Sequence, residues 1–150
     1  VGNTYTNLLY HIVFSTKDRV PTIREDLRER LYGYVGGIIR GEGGVLLEMG
    51  GMPDHVHLLM KLKSDMPVAT MVRLAKSRSS KWINETSGSK VGFRWQIGYG
   101  AFSVSESQVA KIRRYIQNQE IHHARVPFKD ELIGLLKKHR IEYDERYVFD

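Results

Sequence analysis

Cysteine is absent from the 150 residues. That excludes disulfides and thiolate metal sites, and with them a disulfide-stapled secreted fold. Long apolar runs are absent too: nothing approaches the ~18 uninterrupted apolar residues of a membrane helix. Internal repeats, low-complexity tracts and Pro- or Ser-rich linkers are missing, so residues 1–150 read as one domain with a single core. The stretch VGNTYTNLLYHIVFSTKDR lacks the basic start and cleavage-site pattern of a secretory signal. The expectation is a cytoplasmic protein with no membrane partner. Acidic residues are the minority charge. Asp plus Glu number 17 against 23 Lys plus Arg, a formal net charge of +6, which fits a polyanion such as nucleic acid.

The residues present are ordered by clear periodicities. Residues 5–15, YTNLLYHIVFS, are rich in β-branched and aromatic side chains and predict a strand. From Ile23, the apolar residues Leu27, Leu31, Tyr34, Val35 and Ile38 recur at helical spacing, and GEGG at 41–44 stops that helix. Two strands, 45–50 and 55–62, are joined by a turn around GGMPD. A second helix runs from about Pro67 to Ile83, with Val68, Met71, Val72, Ala75, Trp82 and Ile83 inward. Residues 91–103 predict a strand interrupted at Gly98 and Gly100. SESQ at 105–108 has the form of a capping box and opens a third helix that reaches His123 or Ala124. A fourth follows Pro127, with Phe128, Leu132, Leu135 and Leu136 inward, and the tail IEYDERYVFD is expected to pair as an extended segment or dock on a neighbour. The order β-α-β-β-α-β, then helices, is that of the ferredoxin-like or RRM-like α+β fold: an antiparallel sheet with helices on one face and the other face available.

In GGMPDHVHLLM, residues 50–60, two histidines flank one valine. Alternate residues of a strand share a face. His55 and His57 therefore project together with Leu59 and Lys61, while Val56, Leu58, Met60 and Leu62 offer the helices a continuous apolar face. The imidazoles are expected on the open face, where they need not be buried. Two neutral imidazoles side by side can grip a divalent ion, but two ligands do not make a site. The third helix reads SESQVAKIRRYIQNQEIHHA. Val109, Ile112 and Ile116 form its apolar stripe, and Tyr115, Gln119 and His122 line one side at i, i+4 and i+7. If that helix lies near the open sheet face, a hydroxyl, an amide and an imidazole meet the histidine pair. Tyrosine, with a free pKa of about 10, is a weak nucleophile at neutral pH. A metal that polarises phosphoryl oxygens assists such an attack.

PDHVHLL, RRYIQNQEIHH, FRWQIGYGAFSVSESQ and HRIEYDERYVFD together resemble the single-tyrosine HUH transposases of small bacterial and archaeal insertion sequences. The resemblance covers nearly the whole chain, in that family's order. It implies that Tyr115 is the nucleophile, that His55 and His57 are metal ligands with Gln119 as the third, and that the ion is Mg²⁺ or Mn²⁺. It implies cutting and rejoining of single-stranded DNA at insertion-sequence ends, through a 5′-phosphotyrosine and a free 3′-hydroxyl. It further implies recognition of DNA hairpins and a homodimer in which the tyrosine helix of one subunit often serves the histidines of the other. With two imidazoles and an amide, ion binding is expected to be weak without DNA. Glu48 and Asp54 are the nearest carboxylates in sequence; Asp54 is read as a turn residue and His122 as a supporting or surface group. Arg73, Lys76, Arg78 and Lys81 on the second helix, and Lys111, Arg113 and Arg114 around Tyr115, are assigned to DNA phosphates. Trp82, Phe93 and Trp95 are assigned to the core.

Two other readings stay open at this level. One is a ferredoxin-like RNA- or DNA-binding module whose histidines are incidental, although no strand carries the aromatic-rich motif of RNA-recognition modules. The other is a domesticated HUH nuclease acting on palindromes.

Overall fold

The computed structural model describes residues 2–87 and 92–150. Four strands, β1 (Leu8–Ser15), β2 (Val45–Met52), β3 (His55–Leu62) and β4 (Gly100–Val104), form one sheet in the order β2-β3-β1-β4. Every neighbouring pair is antiparallel. Helices α1 (Glu25–Gly41) and α2 (Val68–Thr86) connect the strands; α3 (Val109–Gln117), α4 (Gln119–His123) and α5 (Phe128–Lys138) follow the sheet. This is the ferredoxin-like α+β order expected from the periodicities. No helix among the described residues is long and apolar enough to cross a membrane.

The two faces of the sheet follow the alternation of β1 and β3. Ile12, Phe14, Val56, Leu58, Met60 and Leu62 point to one side and pack against Leu31, Val35 and Ile39 of α1 and Met71, Val72 and Ala75 of α2. Each fully buried aliphatic side chain of this kind contributes roughly 1.5–3 kcal/mol. Phe93 and Trp95 complete that core, whereas Trp82 is only half-buried and stacks on Tyr34 at 4.8 Å.

The opposite face is not open. The chain after β4 folds back across it, and Val13 and Phe102 of the sheet meet Phe128 and Leu132 of α5 in a second apolar cluster that Leu135, Leu136, Val148 and Phe149 flank. The tail belongs to that cover. Phe149 packs against Phe128 at 5.7 Å and lies under Arg19, and Gly98 N–H donates to the Asp150 carbonyl at 2.9 Å. The segment IEYDERYVFD thus docks on its own chain, with one turn of 3-10 helix at Glu145–Tyr147.

Three local expectations are corrected. Of 91–103, Val91 lies outside the described residues, and only the end of the segment is strand; Trp95 forms an isolated bridge with Thr16, just past β1. Ser105 Oγ pairs with Ser107 Oγ and caps no helix N–H, so the capping box is not formed. The third helix is two helices, broken at Asn118 (φ −97°, ψ 23°). Asparagine leaves helical backbone readily because its side chain competes for local backbone groups.

Helix α3 lies on β2 because Gly50 lets it. A Cβ at Gly50 would stand 2.5 Å from the carbonyl oxygen of Ile116. Gly50→Ala is expected to push α3 off the sheet and to cost about 1–3 kcal/mol, as overpacking does. Urea unfolding measures it; an unchanged midpoint would show that α3 has room to move.

Candidate active site

Six polar side chains converge beneath α3–α5. His55 and His57 come from β3, His11 from β1, Gln119 and His123 from α4, and Glu131 from α5; all but the half-buried His123 are buried. His55 and His57 are 0% exposed, contrary to the expectation of an open face. The reason is the cover just described: Phe128 stacks on the His55 ring at 3.9 Å.

Three of these imidazoles, His55, His57 and His123, are held through Nδ1. His55 Nδ1–H donates to Asp54 Oδ1 at 2.8 Å, and His123 Nδ1–H donates to the Val126 carbonyl at 2.7 Å. His57 Nδ1 meets His11 Nε2 at 2.9 Å. Asp54 is therefore both the turn residue expected and the group that orients His55. The free Nε2 atoms then face oxygen. His55 Nε2 lies 3.1 Å from Gln119 Oε1, His57 Nε2 lies 2.9 Å from Glu131 Oε1, and His123 Nε2 lies 2.9 Å and 3.0 Å from those same two oxygens. Gln119 cannot turn its amide round, because its Nε2–H donates to Glu131 Oε2 at 3.1 Å.

Glu131 divides its two oxygens. Oε1 faces the imidazoles; Oε2 accepts the Tyr115 O–H and lies 3.2 Å from His122 Nε2. Tyr115, Gln119 and His122 thus meet as the spacing predicted, at the carboxylate of a residue that the spacing did not indicate. Glu48 faces elsewhere, accepting from Gln117 and Arg113.

Where Nδ1 is a donor, a neutral imidazole presents an Nε2 lone pair. In His55 and His123 that lone pair points at acceptor oxygens. A proton or a cation resolves the clash. The ligand atoms of His55, His57, His123 and Glu131 all lie within 4.8 Å of one another. Donors about 2.0–2.2 Å from a common ion stand roughly 3–3.5 Å apart, close to the spacings found. Nδ1 anchored on a carboxylate or carbonyl is also the usual support of a metal-binding histidine. The residues present fit a divalent ion.

The titration tendencies agree. Burial opposes charge on His55, but hydrogen bonds to Asp54, Glu131 and Gln119 outweigh it and hold the ring's pKa above its ordinary value. Burial dominates at His57 and lowers it. Burial alone would raise Glu131, yet the hydrogen bonds from His55 and His57 hold its carboxyl well below the usual range. Burial and then the Glu131 carboxylate push the Tyr115 phenol up.

Acid stability follows from His11. Burial, then His57, pushes it down to about 3 from 6.5. Between pH 6.5 and 3 the unfolded chain binds a proton that the fold refuses, so stability falls as pH drops through that window. Glu131 has the same sign: its contribution is complete above its ordinary 4.5 and is lost as it protonates. His55 opposes both. Urea midpoints are expected to fall steadily from pH 7 to pH 4, each uncompensated group contributing at most about 1.4 kcal/mol per pH unit. A flat profile would contradict the buried neutral His11.

The basic residues separate. Lys76 is half-buried, its pKa lowered to about 8 by burial, and it donates to the carbonyls of Gln96 at 2.9 Å, Ile97 and Gly98. Its charge holds the 96–98 loop. Arg78 pairs with Glu42 at 3.2 Å, Lys81 stands 3.9 Å from Glu85, and Arg113 pairs with Glu48 at 3.4 Å. Arg73, Lys111 and Arg114 are exposed.

Comparison with known proteins gives a consistent picture. A family profile described as "Transposase IS200 like" matches residues 4–119. The ISDra2 transposase TnpA of Deinococcus radiodurans is 27% identical over 119 residues, 75% of this chain and 84% of that protein. A crystal structure of a candidate transposase from Deinococcus radiodurans superposes with a TM-score of 0.64 at 28% identity, over 79% of this chain and 96% of that one. A REP-associated tyrosine transposase bound to a REP hairpin shares the fold at 15% identity, with a TM-score of 0.62 over 84% of this chain and 74% of that one. Helix α5, with Glu131, lies beyond the matched family region.

Proposed function

The chain belongs to the IS200-like transposase family, and on that premise we propose that it cuts and rejoins single-stranded DNA with Tyr115 as nucleophile, assisted by a divalent ion. The observation that supports this best is the hydrogen bond from Tyr115 O–H to Glu131, whose other oxygen faces the imidazoles of His55, His57 and His123. The phenolic oxygen attacks a backbone phosphorus, the P–O3′ bond breaks, the departing 3′-oxygen takes a proton from solvent to become a hydroxyl, and a 5′-phosphotyrosine remains. Glu131 Oε2, already the acceptor, receives the phenolic proton. The reverse attack by a 3′-hydroxyl restores the tyrosine and joins DNA without outside energy.

His55, His57, Glu131 and His123 would hold the ion, with Gln119 Oε1 beside them. When bound, it polarises phosphoryl oxygens and offsets the charge that builds on them. This donor set is richer than two imidazoles and an amide. It suits Mn²⁺ better than Mg²⁺, and binding to the free protein is expected. Because the ion replaces protons on imidazole, its affinity should rise from pH 6 to pH 8 with proton release; calorimetry in two buffers measures both.

Gln119, His55, His57 and Tyr115 lie together within one chain, which supports a site built from one chain's own residues in a monomer or a homodimer alike. Mixing Tyr115→Phe with His57→Ala protein is expected to restore no DNA–protein adduct. Restoration would show that the tyrosine helix is exchanged between subunits. For DNA contact, alanine at Arg73, Lys111 or Arg114 should each reduce the salt slope of hairpin binding by about one, while Lys76→Ala should leave it unchanged.

A further inference from the structure

A groove of about 590 Å³ opens beside Tyr115, between α3 and α5. That volume lies in the range of specific ligand clefts, roughly 300–1,000 Å³. Lys111 and Tyr115 of α3 and Glu131 and Lys138 of α5 line it. Phe102 and His139 also line it, their rings stacked at 4.5 Å and 24°. Phe102 is buried and His139 is exposed, so the outer face of the imidazole is a free aromatic platform. Asp130 is the exposed carboxylate on the same wall.

Gly134 of α5 also lines the groove, and a Cβ there meets nothing within 4 Å. Glycine in mid-helix is unfavourable relative to alanine, and no close approach or left-handed backbone accounts for it here. A larger side chain at this position would stand in the open space of the groove.

We propose that this groove receives an unstacked nucleobase of the single strand, adjacent to the phosphate that Tyr115 attacks. The occupant is argued from continuity and chemistry. Because Tyr115 is itself part of the lining, a strand whose phosphate reaches Tyr115 brings its next sugar and base to this groove. The two lysines flank the path of the backbone, and the His139–Phe102 pair supplies the stacking surface that single-strand binders use regardless of sequence. The inference rests on the phosphotyrosine reading for its geometry, but the groove can be tested without chemistry.

Isotope-labelled protein in chelator is titrated with (dT)8, with (dA)8 and with an abasic octamer of equal charge. The base-bearing octamers should shift the amides of Ser103, Gly134 and His139 and should bind about tenfold more tightly than the abasic one. Gly134→Leu fills the cleft. It should keep the wild-type melting temperature and the abasic affinity while losing the base-dependent gain; Gly134→Ala should retain most of that gain. Equal binding of all three octamers, binding of none, or a Gly134→Leu protein that still prefers bases would overturn the proposal. A protein that fails this test yet forms the Tyr115 adduct loses the groove alone. One that passes and forms no adduct loses the phosphotyrosine reading alone.

Discussion

Tyr115→Phe is expected to abolish covalent capture of DNA, a loss on the order of 10⁴-fold or more, as when a nucleophile is deleted. The substitution removes one oxygen and leaves the ring, which packs at 5.6 Å from His57 and 5.3 Å from His122. Gln119 and the imidazoles still surround Glu131, so the carboxylate is not stranded. The cost in stability should be near the lower end of a charged hydrogen bond, about 1.5 kcal/mol. Hairpin affinity should hardly change, because the phenol carries no charge at neutral pH. The readout is a denaturing gel of labelled hairpin-bearing single strands incubated with Mn²⁺. A Tyr115→Phe protein that still forms the covalent band would move the nucleophile to another residue.

Glu131→Gln should have the second largest effect. Glu131 is the one carboxylate among three imidazole Nε2 atoms, and it also accepts from Tyr115 and Gln119. Glutamine keeps the shape and removes the charge. Breaking a buried charged cluster by removing one partner costs about 3–5 kcal/mol. The wild type should gain stability in saturating Mn²⁺, by about 2.7 kcal/mol at a hundredfold excess over its dissociation constant; the variant should gain little. Adduct formation should fall at least about a hundredfold, as metal support is lost. Unfolding with and without Mn²⁺ separates the two effects. An undiminished Mn²⁺ response in Glu131→Gln would return the ion to the histidine pair and Gln119 alone.

These two residues mark what the sequence discloses. Tyr115 was legible because its helix carries Gln119 at i+4, and a strand histidine pair supplied the other half. The alternation of Val56, Leu58, Met60 and Leu62 placed the main core correctly. Glu131 was not legible. In PFKDELIGLL it reads as one acid on the polar side of an amphipathic helix, next to Asp130, and helical spacing says nothing about which sheet face that helix will cover. The signal that was available is Phe128, Leu132, Leu135 and Leu136: a second apolar stripe needs a second apolar surface, and Leu9, Val13 and Leu59 beside the histidines provide one. That pattern contradicts an open histidine face. The break at Asn118, with no proline or glycine near it, left no mark in the helical spacing. The contacts of Lys76 were not legible for a related reason. Its position on α2 is polar by period, but its three acceptors come from the 96–98 loop, twenty residues and more away.

In the proposed reaction Tyr115 becomes covalently joined to a DNA 5′-phosphate beside the imidazole–carboxylate cluster. Mass spectrometry of the protein after reaction with a hairpin-bearing single strand and Mn²⁺, then nuclease and trypsin digestion, addresses it directly. A nucleotide phosphate is expected on the peptide that begins at Tyr115, lost when chelator replaces Mn²⁺. An unmodified Tyr115 peptide, or the nucleotide on any other residue, would contradict it.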